Sequence, residues 1–129
     1  YGSTLRLVEL AAIDLHEIGI SAEVIDVQSL IPFDIEQRIS KSIRKTSRIL
    51  IVDEDVPGGA SAYILTEILK QAESYENLDS APALLTAKDH RPAYGSDGDY
   101  FSKPSKNDIF EKAYEILHES NPMQYPKLR

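Results

Sequence analysis

The chain has 129 residues, a formal net charge of -7 and no cysteine. That length suits one domain, able to bury about two-thirds of the surface its unfolded chain exposes. The acidic balance argues against nucleic acid and leaves room for a basic protein partner, while the lack of cysteine removes disulfides and thiolate chemistry and fits a reducing, cytoplasmic compartment. No run approaches the roughly 18 apolar residues of a membrane span, and no signal-peptide pattern is visible.

Tyr1 opens the chain without an initiator methionine, and Gly2-Ser3-Thr4 reads as the turn after an upstream strand. Leu5, Val8, Ala11, Ala12, Leu15 and Ile18 then recur at helical spacing, predicting a helix over 4–18. Ser3 or Thr4 can cap its start, and Gly19 sits where a left-handed C-terminal cap belongs. Ala22 to Val27 is rich in β-branched residues and predicts a strand. Pro32 forbids a helix through the connection that follows. Asp34 with Gln37 suggests a capping box for a short helix buried through Ile35, Ile39 and Ile43, and Arg44-Lys45 suit its negative end.

Ile49 to Val52 is a continuous apolar run, the pattern of a strand covered on both faces. Asp53, Glu54 and Asp55 place three carboxylates at its carboxyl end. Pro57-Gly58-Gly59 make a turn into a helix carrying Ile64, Leu65, Ile68 and Leu69. Gln71 to Ser80 is polar and predicts a loop, and Ala83 to Thr86 a further short strand. From Ala87 to Ser105 the pattern is irregular. Ser105 with Asp108 opens a last helix buried through Ile109, Ala113, Ile116 and Leu117. Residues 1–120 form one predicted domain, and 121–129, with Pro122 and Pro126, an extended tail. The alternation of helices and strands implies a parallel sheet between two helical layers, an α/β/α sandwich.

The carboxyl ends of such strands are where ligands and partners are met. Asp53-Glu54-Asp55 could hold a metal, move a proton or dock a basic partner. Successive strand residues alternate faces, however, and no histidine lies at ligand spacing from them. A structural role in capping the neighbouring turn comes first, and contact with a partner or interface second. Gly58-Gly59 lacks the Lys-Ser/Thr of a phosphate loop and sits beside carboxylates that would repel phosphate, so it reads as a structural turn. Asp97-Gly98-Asp99 lacks a calcium-loop register and reads as a turn. His16, His90 and His118 are scattered and read as surface residues. No Gly-x-Ser-x-Gly elbow supports a nucleophile. The residues supply no catalytic and no metal set.

The ordered motifs carry a resemblance. Ala22 to Glu36 (A-E-V-I-D-V-Q-S-L-I-P-F-D-I-E), Ser42 to Asp55 (S-I-R-K-T-S-R-I-L-I-V-D-E-D) and Gly58-Gly59 resemble the C-terminal domain of transketolase-like enzymes. The nearest version is the beta-type subunit of thiamine-diphosphate-dependent 2-oxoacid dehydrogenases. Ala81 to Pro92 (A-P-A-L-L-T-A-K-D-H-R-P) and the helix after Lys103 to Ile109 fit the same pattern. Family members carry a further strand just before the Tyr1-Gly2-Ser3 position. Ser61-Ala62-Tyr63-Ile64 departs from the family's usual Gly-Ala-Glu-Ile. Ala93 to Ser102 and the Pro-Lys-Leu-Arg end look more like bacterial enzymes in which alpha-type and beta-type halves share one chain.

The resemblance implies a mostly parallel sheet lacking its first strand in this chain. It also implies oxidative decarboxylation of a 2-oxoacid, 2-oxoisovalerate first and pyruvate second, with acyl transfer to a lipoyl acyltransferase. Thiamine diphosphate, magnesium and the catalytic histidines would belong to other domains. This domain would join subunits and help dock the acyltransferase's basic peripheral subunit-binding domain. Asp53, Glu54, Asp55, Gly58 and Gly59 are then expected at the fold or subunit interface, and Glu76 and Asp79 at a partner surface. Two alternatives stand beside it: a transketolase or deoxyxylulose-phosphate synthase C-terminal domain, and a free-standing α/β ligand-binding module.

Overall fold

In the computed structural model, which describes residues 1–87 and 103–127, the apolar run at 49–52 becomes strand β1 (Leu50–Val52). It pairs in parallel with β2 (Ala83–Leu85), Leu50 opposite Ala83, Ile51 opposite Leu84 and Val52 opposite Leu85. Side chains alternate across a strand, so β1 serves two cores. Ile51 faces α2 (Arg38–Thr46) and α3 (Ala60–Lys70), where it packs with Ile39, Ile43, Ile64 and Ile68. Val52 faces the other way, against Ala11 of α1 (Leu5–Glu17) and Ile109 of α5 (Lys106–Ser120), with Leu50 and Leu85 alongside. Each buried isoleucine contributes about 1.5–3 kcal/mol, so these two layers dominate the fold. The predicted α/β/α arrangement is the observed one.

The end of α1 is a Schellman motif. Gly19 takes a φ of +85° and its N–H donates to the His16 carbonyl, while the Ile20 N–H reaches the Leu15 carbonyl at 2.9 Å. Ile20 and Leu15 then pack together, with Tyr114 of α5 beside them. At the other end the expected cap is absent. A 3-10 turn (Gly2–Thr4) leads into α1, Thr4 is itself helical, and its hydroxyl donates back to the Tyr1 carbonyl at 2.7 Å. Ser3 is drawn instead to Glu54.

Helix α2 starts later than its pattern predicts. The Asp34 carboxylate does cap it, accepting from the N–H groups of Arg38 (2.8 Å) and Ile39 (3.1 Å). Residues 35–37 form a turn in which Asp34 and Gln37 both have positive φ. Gln37 makes no cap bond, so there is no capping box, and Ile35 stays 76 % exposed rather than joining the buried stripe. Gln71 to Ser80 is not all loop: α4 (Ala72–Asn77) packs against α2 and α3 and buries Ser74 completely. Its small buried serine carries no apolar signal, which is why the pattern hid it. Ser105 and Asp108 form the full capping box of α5.

Two expectations fail on tertiary grounds. Ala22 to Val27 is not a strand: no ladder forms on it, and among the described residues 22–27 make no backbone–backbone hydrogen bond. A cavity of about 270 Å³ lies against this segment and β1. The described part of the tail, 121–127, is not extended either. Residues 121–127 turn back on α5: the Tyr125 N–H donates to the Asn121 carbonyl, the Tyr114 hydroxyl to the Pro126 carbonyl at 2.7 Å, and His118 Nδ1 lies 2.7 Å from the Tyr125 carbonyl. Asp97-Gly98-Asp99, His90 and the segment Ala93 to Ser102 lie outside the described residues.

Removing the Ser105 hydroxyl strips one donor's partner from the α5 start. Ser105→Ala should lower stability by about 1 kcal/mol in urea unfolding, with an unchanged denaturant slope.

Candidate functional site

The tip beyond β1 is assembled by the strand's alternation and by one tight turn. Asp53 continues the strand, its N–H donating to the Leu85 carbonyl, and its side chain is only 2 % exposed. One carboxylate oxygen, Oδ1, accepts from the Glu54 N–H at 2.8 Å; the other, Oδ2, has no hydrogen-bond partner among the described residues. Glu54 points to the start of α1, where it accepts the Ser3 hydroxyl, and the Lys103 ammonium lies 3.5 Å away. Asp55 turns outward. Its Oδ1 accepts from the Val56 N–H at 2.8 Å, and its carbonyl accepts from the Ala87 N–H at 2.9 Å.

The two glycines have separate reasons. Gly58 sits at φ +92°, a conformation that penalises any side chain. The Gly59 N–H closes the turn onto the Val56 carbonyl at 3.1 Å. A β-carbon at Gly59 would run into the Asp55 carboxylate, so the close approach of Asp55 demands glycine there. Gly59 then hands its carbonyl to the Ala62 N–H and α3 begins. Ser61, in the first turn, is fully buried with its hydroxyl unpartnered among the described residues.

Asp53, Glu54, Asp55, Gly58 and Gly59 are therefore neighbours, but the three carboxylates diverge: inward, toward Ser3, and over the turn. The structure does not bring Glu76 and Asp79 to them. The Asp79 N–H donates to the Ser47 carbonyl at 2.9 Å, at the amino end of β1. The Asp79 carboxylate lies 3.3 Å from Arg48, whose Nε donates to the Ser120 hydroxyl at 2.9 Å. Asp79 thus ties the approach to β2 to the base of α5. Glu76 is exposed on α4. The partners Ser3, Arg48 and Lys103 leave no local pattern in the sequence, since Ser3–Glu54 lies 51 residues apart, Arg48–Asp79 31, Arg48–Ser120 72 and Lys103–Glu54 49.

Among the described residues no group of three or more His, Asp or Glu could hold a metal ion. What the tip offers is a surface. Val56 and Tyr63 are exposed beside the turn, Tyr63 meets Phe33 edge-on at 6.4 Å, and Ile31 and Ile35 project from the same neighbouring segment. Apolar side chains next to an acidic edge suit contact with another protein surface.

The Ser3 hydroxyl holds the Glu54 carboxyl below the usual glutamate range, against the opposing effect of burial, with the Lys103 charge and hydrogen bond adding to the lowering. A depressed carboxylate pKa stabilises the fold above the unfolded value, and that stability is lost as pH falls through the folded one. Glu54 is 40 % exposed, so solvent screening keeps the contribution below about 1 kcal/mol. Glu54→Gln should therefore lower the melting temperature slightly at neutral pH, and the difference from the parent chain should shrink as pH falls through the carboxylate range.

Comparison with known proteins follows the same outline. The family model described as "Transketolase, C-terminal domain" matches residues 1–109. The chain is 34 % identical over 123 residues to the mitochondrial pyruvate dehydrogenase E1 component subunit beta of Pisum sativum, covering 95 % of this chain and 32 % of that protein. It is 35 % identical over 103 residues to the pyruvate dehydrogenase E1 component subunit beta of Mesostigma viride, covering 80 % and 31 %. It is 40 % identical over 72 residues to the mitochondrial 2-oxoisovalerate dehydrogenase subunit beta 2 of Arabidopsis thaliana, covering 55 % and 20 %. The chain spans about a third, or less, of the length of these curated relatives. No helix among the described residues is long and apolar enough to cross a membrane. By its family match over 109 of 129 residues, this chain belongs to the transketolase C-terminal domain family.

Proposed function

We propose that this chain is the C-terminal assembly domain of the decarboxylating component of a 2-oxoacid dehydrogenase complex. The observation that carries the reading is the alignment of 95 % of the chain with a pyruvate dehydrogenase E1 beta subunit, together with family membership. The tip supports a joining role. Its carboxylates are spent on holding β1 to the turn and to α1, and exposed Ile31, Ile35, Val56 and Tyr63 flank it as a subunit contact would require. Glu76, exposed on α4, is the acidic contact for the basic peripheral subunit-binding domain of a lipoyl acyltransferase. Asp79 serves that surface less directly, because Arg48 already holds it.

The described residues do not fit thiamine diphosphate with its magnesium. Three diverging carboxylates beside the Gly58-Gly59 turn repel a diphosphate, and the buried Asp53 offers a metal a single side chain. In this reading other domains of the longer protein hold that cofactor. A branched-chain acid such as 2-oxoisovalerate is the first substrate and pyruvate the second; the 40 % identity to a 2-oxoisovalerate subunit favours the one and the longer alignments favour the other. The form of the C-terminal quarter of the sequence supports a bacterial, single-chain arrangement of alpha-type and beta-type halves, working in the cytoplasm.

The test uses the full-length protein, supplied with thiamine diphosphate and magnesium. It should decarboxylate 2-oxoisovalerate or pyruvate with an artificial electron acceptor. Glu76→Lys should leave that rate unchanged and weaken binding to the acyltransferase's isolated binding domain by about tenfold, or ~1.4 kcal/mol. Failure to turn over any 2-oxoacid would overturn the enzyme class, and unchanged binding would remove Glu76 from the docking surface.

A further inference from the structure

Helix α1 buries one stripe and leaves the opposite one in solvent. Ala11 packs on Val52 and Ile109, and Leu15 on Tyr114. On the far side of the helix lie Arg6, Leu10, Ile13 and Glu17, all exposed, Leu10 by 39 % and Ile13 by 56 %. Helical periodicity keeps these four positions on one face. Asp14, which faces its own chain, lies 3.1 Å from Lys106. By contrast, the side chains of Arg6 and Glu17 make no hydrogen bond or ion pair among the described residues. A large aliphatic side chain standing singly on a surface is ordinary. Here two stand together, between two unpaired charges of opposite sign.

This stripe is complementary to itself. Laid antiparallel on a copy, it sets Arg6 opposite Glu17 and Leu10 opposite Ile13, and symmetry then repeats both pairs. Both pairs are centred on the same point, between Ala11 and Ala12. A parallel arrangement would set Arg6 against Arg6 and Glu17 against Glu17, which repel. A two-fold contact requires such a patch, in which residue i meets j and j meets i. The alternating steps of four and three residues are those of the seam between two paired helices.

We infer that the outer face of α1 docks on α1 of a second copy of this chain, antiparallel, about a two-fold axis beside Ala11 and Ala12. Leu10 and Ile13 of both copies form the dry centre and supply the attraction. Arg6 and Glu17 lie at the rim, where ion pairs add little energy but fix direction and register. This surface is separate from the acidic tip and does not depend on which enzyme the domain serves.

A zero-length cross-link in the full-length protein tests the contact. In an Arg6→Lys variant, carbodiimide joins the new amine only to a carboxylate that it touches. Positions 6 and 17 of one helix are about 16 Å apart at roughly 1.5 Å per residue, so a peptide linking them comes from two copies. The expected product is a covalent dimer joined through positions 6 and 17. The Lys106–Asp14 pair, at 3.1 Å within one chain, supplies the control link. Adding Ile13→Asn, at an exposed position, should lower the dimer yield at least about tenfold and leave the control intact. Exchanging the charges, Arg6→Glu with Glu17→Lys, should give the dimer joined at the same two positions. Formation of the control link without the 6–17 link would overturn the inference. A link from position 6 to another carboxylate, or to a different subunit, would mean that something else covers the stripe and would contradict it equally.

Discussion

Every layer of this domain is referred to a three-residue strand. Because Ile51 and Val52 point to opposite faces, the helices must come to both: α2 and α3 to one, α1 and α5 to the other. An apolar strand with polar backbone cannot be buried that way unless its hydrogen bonds are supplied sideways, since an unpaired buried N–H or carbonyl costs about as much as a lost hydrogen bond. On one side β2 supplies them. The need for sideways partners explains both the β1–β2 ladder and the way the chain's first residues are drawn to the Val52 carbonyl.

The same constraint shapes the tip. Where β1 runs out, its side chains continue to alternate for a residue or two, which sends Asp53 inward and Glu54 toward Ser3. The chain then has to reverse quickly to lay α3 over Ile51, and Gly58 and Gly59 make that possible, one through its dihedral angle and one through the Asp55 contact. The carboxylates are thus side products of folding that also create an acidic edge. An edge of this kind beside exposed aromatic and aliphatic side chains is better suited to meeting a protein than to moving protons, and the proposed assembly role draws on that difference.

Much of this was legible in the sequence, and the exceptions share a cause. The 49–52 run, the Gly58-Gly59 turn, the Ser105–Asp108 box and the Gly19 cap are local, and each appears where its residues place it. Ala22 to Val27 has strand chemistry but a strand is a property of two backbones, and propensity cannot supply the second. The start of α2 moved because Asp34 reached its amides from a left-handed turn rather than from the N-cap position. α4 was invisible because what it buries is a serine. At the site, the grouping of Asp53 with Gly59 could be read from adjacency, whereas the Ser3, Lys103 and Arg48 partners depend on how distant elements meet.

The central claim, that a single strand buried on both faces holds the two helical layers together, is tested most directly by truncating each face in turn and measuring urea unfolding of the 129-residue chain. Ile51→Ala and Val52→Ala should each cost about 2–4 kcal/mol, with similar denaturant slopes. A cost below about 0.5 kcal/mol at either position would mean that one face of β1 is not covered, and the account would be wrong.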